Sequence, residues 1–227
     1  MAHHAGQPRA EIPREDPVLK TDSRRTAIVG VAEHGNSAIL VTLAPGGKIL
    51  DRRRIDLTKG LPTHPYHHEG SWAVGRYLNS SWARPMSLDA AVALIERVHS
   101  AAEHGARESL AALAATSALP IGGISIRACA RLAPTIEGRI ANNVANTLAD
   151  SVMYREALAA AAEARGWSVH WYDREHVFDE ARTALRGDDL DAIVHAMGRT
   201  VGAPWQAKHK LAAAAALAAG SAAGGTQ

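Results

Sequence analysis

The sequence has little cysteine, few aromatic residues and no long apolar run. Its one cysteine, Cys129, excludes an intrachain disulfide framework and fits a reducing cytoplasm. No apolar run approaches the roughly 20 residues that a membrane-spanning helix needs. The polar N-terminus also lacks the apolar segment of a signal peptide. We therefore expect a cytoplasmic protein with no membrane partner.

Composition bounds the fold and the domain organisation. Only 4% of the 227 residues are aromatic while 47% are hydrophobic, many of them alanine, which favours helices packed closely against a sheet. The formal net charge of +2 is nearly balanced, so composition alone makes no case for nucleic acid. Residues 1–25 lack apolar periodicity and are expected to form a disordered arm, and residues 220–227 a flexible tail. A single domain over residues 26–219 remains.

The folded part opens with three predicted strands, at residues 27–31, 38–43 and 48–57. Turn signals separate them, first Gly35-Asn36 and then Pro45-Gly46-Gly47. Three consecutive arginines, residues 52–54, are typical of a strand near a solvated edge. The pattern predicts an antiparallel meander.

The rest of the chain is predicted to be helical, with two further strands. Ser87 caps the first of one or two helices that end near residue 115, and residues 72–82 are expected to form a short helix before it. Pro120-Ile-Gly-Gly123 breaks the helical pattern, after which strands cover residues 124–130 and 167–172. A long helix between them begins at Pro134 and bends at Asn142-Asn143. Its apolar stripe comprises Ile136, Ile140, Val144, Leu148 and Val152. Asp173, and then Asp188 or Asp189, cap two further helices, and an alanine-rich helix closes the chain at residues 206–219.

The stretch LPTHPYHHEG, residues 61–70, is the least generic part of the sequence. Its two prolines keep the first half out of a helix, which leaves His64, His67, His68 and Glu69 on a constrained segment. Imidazole and carboxylate groups together suit first-row metals such as Mn²⁺ or Zn²⁺. The spacing matches no standard zinc pattern. The alternative is a structural loop whose polar side chains bond to backbone groups over the sheet.

The order β-β-β-α-β-α-β-α resembles the ribonuclease H-like superfold, which includes resolvases and transposases. That resemblance implies an α/β protein with a mixed five-stranded sheet and helices on both faces. Three segments, LPTHPYHHEG, ADSVMYREALAAAAEARGWSVHWYD and GAPWQAKHKLAAAAALAA, are also similar to a group of bacterial proteins, a likeness that implies no particular activity.

The resemblance also implies where chemistry is expected. Nucleases of this fold hold two divalent ions with an acid on the first strand, an acid on the fourth strand and an Asp or His on the last helix. In this chain the first of these positions falls near Glu33 and the last at His209, whereas the predicted fourth strand has no acid. The implied catalytic pair is Glu33 and His209, and the implied ligands of Mg²⁺ or Mn²⁺ are Glu33, His67, His68, Glu69 and His209. Glu69 or Asp150 could replace the missing acid.

Cationic residues near these positions are candidates for contact with phosphate. Lys208 and Lys210 flank His209 on the closing helix, and Arg127 lies on the fourth predicted strand. Three functions remain open: a divalent-metal-dependent nuclease, a non-cleaving relative that binds nucleic acid or a protein partner, and an actin-like nucleotide-binding protein. The actin-like alternative has the least support, because His34-Gly-Asn is a poor match to a phosphate loop.

Overall fold

The computed structural model of the protein describes residues 26–70 and 86–222. The predicted arm at residues 1–25 and the predicted short helix at residues 72–82 lie outside this range. No helix within it is both long enough and apolar enough to cross a membrane.

Five strands form one mixed sheet in the order β3-β2-β1-β4-β5. The strands are β1 (Ala27–His34), β2 (Ser37–Leu43), β3 (Ile49–Asp56), β4 (Ile121–Arg127) and β5 (Ser168–Tyr172). The first three pair antiparallel as the predicted meander, with the arginine-rich β3 at the edge. β4 pairs parallel to β1, and β5 parallel to β4. The carboxyl ends of β1, β4 and β5 therefore meet at one edge of the sheet.

The helices fill the connections between the strands. They are α1 (Leu88–Thr116), α2 (Ile136–Ala141), α3 (Asn143–Glu163), α4 (Val177–Ala184), α5 (Leu190–Val201) and α6 (Ala207–Ala222). A π-helical segment, Pro65–Gly70, precedes α1. The predicted caps Ser87 and Asp189 both accept backbone N–H groups at the starts of α1 and α5. Asp173 does not cap α4, which begins after His176.

The two faces of β1 pack against different layers of helices. Val29 and Val31 join a core formed with α1 and α3, whereas Ile28 and Ala32 join one formed with α5 and α6. At Gly30 an added Cβ would lie 1.8 Å from the carbonyl oxygen of Ala212. Helix α6 can lie this close because its contact residues are alanines. The element order, the mixed sheet and the helices on both faces confirm the ribonuclease H-like fold.

Two further predictions about local structure were wrong. α1 does end before Pro120, as predicted, but β4 begins at Ile121 rather than residue 124, because Gly122 and Gly123 are part of the strand. They allow close approach to neighbouring strands, since a Cβ at either position would lie within 2.6 Å of the Thr26 or Ser168 side chain.

The predicted stripe of the long helix was wrong at two of its five positions, Val144 and Leu148, whereas Ile140 and Val152 are buried. Val144 is 71% exposed and Leu148 is 41% exposed. The Asn142 side chain accepts the N–H groups of Val144 and Ala145 and starts a new helix, so a four-residue repeat does not continue across the break. The face that α3 buries instead includes two charged residues, Asp150 and Arg155.

Candidate functional site

A cleft opens where β1 and β4 stop pairing. Their last paired residues are Gly30 and Ser125, although β1 continues to His34 and β4 to Arg127. Beyond that point Tyr172 at the end of β5 donates its hydroxyl hydrogen to the carbonyl oxygen of Val31, at 2.8 Å. Such a crevice, at the carboxyl ends of strands whose connections leave in opposite directions, is where open α/β sheets commonly bind ligands.

The cleft encloses about 600 Å³ and is rich in positive charge. We call it the basic cleft. Within the described residues its lining carries five cationic side chains and one carboxylate: Arg127, Arg155, Arg174, Lys208, Lys210 and Glu33. Apolar residues complete part of the wall: Ala32, Phe178, Ala207 and Leu211. Of the residues predicted from the sequence, the structure brings Glu33, Arg127, Lys208 and Lys210 into this lining, and their roles stay predictions.

Glu33 is held by an internal cation. The Nε atom of Arg155 donates to Glu33 Oε1 at 2.7 Å, and Nη2 donates to the same oxygen. Arg155 Nη1 donates to the carbonyl oxygen of Ala128 at 3.0 Å, so one guanidinium joins the separated ends of β1 and β4. Both side chains are only 8% exposed. Because charge-assisted hydrogen bonds of this kind are strong, the one carboxylate of the lining is already neutralised.

Lys208 occupies a position that is unfavourable for a cation. Partial burial lowers the pKa of its ammonium group, and the positive charges of Arg174 and Arg54 lower it further, while Glu33 acts in the opposite direction. The first turn of α6, which carries Lys208, also adds the partial positive charge of a helix N-terminus. Several positive charges held close together despite their mutual repulsion are typical of a site that binds an anion.

His209 lies next to the basic cleft but not in it. It lines a smaller cavity of about 220 Å³ that shares Ala32, His34 and Lys208 with the basic cleft. Its Nδ1 atom accepts the backbone N–H of Gln206 at 3.1 Å. Burial lowers the pKa of the imidazole, as does the nearby charge of Arg52. The structure thus places His209 beside β1, in a cavity adjoining that of Glu33, and the catalytic pairing of the two residues stays a prediction.

The segment Pro65–Gly70 is held by Asp150, away from the cleft lining. This buried carboxylate accepts the backbone N–H groups of Tyr66 at 3.0 Å and His67 at 3.2 Å. The Nδ1 atom of His64 lies 3.6 Å from the same carboxylate. Asp150 therefore anchors this segment to α3. The side chains of His68 and Glu69 lie outside what the structure describes.

The residues around Glu33 do not fit a divalent ion. Mg²⁺ and Mn²⁺ prefer several oxygen ligands, whereas here one carboxylate is bonded to a guanidinium among four further cations. In the described parts of the chain no group of three or more His, Cys, Asp or Glu side chains could hold a metal ion.

Sequence reasoning missed three residues of the basic cleft: Arg155, Arg174 and Phe178. Arg155 is separated from Glu33 by 122 positions and only the tertiary fold brings them together. Arg174 lies two residues beyond the end of β5, and its position close to a strand end was a usable signal. Phe178 also carried a usable signal, because it is the one phenylalanine in the sequence and lies at the start of a helix.

The chain has a ribonuclease H-like fold, with a cationic cleft at the carboxyl edge of its sheet. Among solved structures, it is similar to Thermus thermophilus RuvC in complex with Holliday junction substrate: 16% identity and a TM-score of 0.47, covering 88% of this chain and 97% of that one. A second T. thermophilus RuvC structure matches with 16% identity and a TM-score of 0.43, covering 88% and 98%. No protein-family model and no curated protein matches the sequence. Likeness at this level carries no conclusion about the site.

Proposed function

We propose that this protein is a non-cleaving ribonuclease H-like module that binds nucleic acid through direct contacts between the basic cleft and phosphate groups. The observation that carries the proposal is the charge of the lining, five cations around one neutralised carboxylate. Arginine and lysine are the residues that proteins commonly use to bind phosphate, and arginine does so through paired N–H groups.

The charges of the cleft favour phosphate binding over metal-dependent cleavage. Metal-dependent hydrolysis of a phosphodiester needs carboxylates that hold the metal ions. Here the strand ends that border the cleft instead present Arg127 and the ion-paired Glu33. A ligand phosphate would thus meet protein cations, without a bridging metal.

The test measures binding and cleavage on the same labelled DNA and RNA oligonucleotides. We expect fluorescence anisotropy to show binding that EDTA does not reduce and that weakens with rising salt, because bound phosphates release counterions. Replacing Lys208 or Lys210 with glutamine should reduce the slope of log K against log salt by about one each. Lys48→Gln is the matched control, since this exposed lysine lies at the opposite edge of the sheet.

Cleavage is followed with Mg²⁺ and with Mn²⁺. We expect no product. Metal-dependent cleavage that disappears in Glu33→Gln would overturn the proposal in favour of a nuclease. Absence of any binding to DNA or RNA would overturn it too, and would leave a protein partner or a free nucleotide as the ligand to examine.

A further inference from the structure

The apolar part of the basic cleft is not explained by phosphate binding. Phe178 from α4 and Leu211 from α6 line the same cavity as the cations, and both are only partly buried. They pack beside Tyr172, Val177 and Ala215 in the small core between these helices and the sheet. A ligand in the cavity would therefore meet an aromatic and aliphatic wall on the α4 and α6 side.

Three of the five cationic groups come from elements other than α4 and α6: Arg127 ends β4, Arg155 lies on α3 and Arg174 follows β5. Lys208 and Lys210 lie on α6, as Leu211 does. A ligand that satisfies both sets of residues carries both negative charge and a flat apolar group. Nucleotides have this character, and proteins commonly bind unpaired bases by stacking them on aromatic side chains beside a cationic groove.

The size of the cavity distinguishes an unpaired nucleotide from a double helix. Its volume of about 600 Å³ lies within the range of roughly 300–1,000 Å³ for pockets that enclose small ligands. Such a cavity can take one nucleotide. A duplex keeps its bases stacked inside, so it would present only phosphates at the mouth of the cleft and would leave Phe178 without a partner.

We propose that the basic cleft receives an unpaired nucleotide of the bound nucleic acid, with its base against Phe178 and its phosphate among Arg127, Lys208 and Lys210. This inference rests on the proposed function and specifies its ligand: a single strand or a strand end, rather than continuous duplex.

The experiment compares three labelled probes: a blunt duplex, the same duplex with a one-nucleotide overhang, and that overhang made abasic. An abasic overhang keeps the phosphate and removes only the base. We expect the overhang to bind roughly tenfold more tightly than the blunt duplex, the size of effect that a stacked base commonly gives. The abasic overhang should lose most of that gain.

Variants at Phe178 test whether the preference for the overhang depends on its aromatic ring. Phe178→Leu keeps an apolar side chain and should remove the preference for the overhang over the blunt duplex. Phe178→Tyr keeps an aromatic ring and should retain the preference. Lys210→Gln should weaken binding of all three probes. A purely structural role for Phe178 would instead lower the stability of Phe178→Leu and change all affinities together.

The outcomes separate this inference from the proposed function. Equal binding of the three probes by the wild-type protein would overturn the unpaired-nucleotide site while leaving nucleic-acid binding intact. Binding of none of them, with single strands also unbound, would overturn both. The abasic comparison on the wild-type protein decides the question even if a Phe178 variant fails to fold.

Discussion

The two edges of the sheet beside β1 both carry a cavity, but they differ in charge. At the carboxyl edge the basic cleft gathers five cations around one ion-paired carboxylate. At the amino edge a cavity of about 320 Å³ is lined mostly by small and apolar residues, with Arg186 and Asp188 balancing each other. The chain as a whole has a net charge of only +2. The positive charge of the basic cleft is thus a local feature that the average composition conceals.

The two edges of the sheet also differ in the contacts between their elements. At the amino edge a Cβ added at Gly47 would lie 3.2 Å from the apolar Leu217 side chain. At the carboxyl edge the strand ends are joined by Arg155, whose guanidinium contacts both Glu33 and the carbonyl of Ala128. Among the described residues, a buried charge pair therefore joins strand ends at the carboxyl edge, while the lining at the amino edge is mostly small and apolar.

The largest expected effect is a loss of stability when Arg155, the cation of this buried pair, is removed. Arg155→Met leaves the Glu33 carboxylate buried without its main partner and should lower the free energy of unfolding by about 3–5 kcal/mol. Arg186→Met at the amino edge should change it by less than about 0.5 kcal/mol, as is usual for surface substitutions. Urea denaturation measures both. The double variant Arg155→Met/Glu33→Gln should recover much of the loss, and equal effects at the two edges would remove the distinction.

An intermediate effect is expected when a small anion binds. Inorganic pyrophosphate should occupy the basic cleft and relieve the repulsion among its cations. At about 100 times its dissociation constant, a ligand adds roughly 2.7 kcal/mol to stability, which a thermal melt detects as a rise in Tm. Lys208→Gln/Lys210→Gln should reduce the rise, and Arg186→Gln should not. A rise that is unchanged in the cleft variant would place the anion elsewhere.

The smallest expected effect is on the pH dependence of stability, and it arises from His209 near the carboxyl edge. Burial lowers the pKa of His209 below its unfolded value of 6.5. Below pH about 6.5 the unfolded state therefore binds more protons than the folded state, and stability falls as the pH decreases toward the folded-state pKa. His209→Asn keeps an acceptor near the Gln206 N–H and should flatten part of this decline in urea titrations at several pH values. His170, whose pKa burial also lowers, supplies a decline of the same sign that remains in the variant. An unchanged slope would show that His209 does not contribute.

Local sequence signals were enough for the strands and most helix starts. The β1–β3 meander follows from apolar runs separated by glycine turns, and the cap at Ser87 from a hydroxyl that accepts the N–H of Ala90. The alanines of α6 likewise indicated close packing, which Gly30 makes possible. Part of the cleft was predictable too, since Arg127 and Lys208 lie at element ends that the topology brings together.

The amino-acid sequence by itself determined the order and kind of elements, because turns, caps and apolar runs act over a few neighbouring residues. Only the tertiary structure decided which charges meet. It buries Arg155 on the inner face of α3, where a stripe of apolar residues had been expected, and pairs it with Glu33 across 122 positions. A buried charge is stable only beside a partner, and such a partner lies far away in the chain, so no local pattern could reveal that the one acid of the cleft is already neutralised.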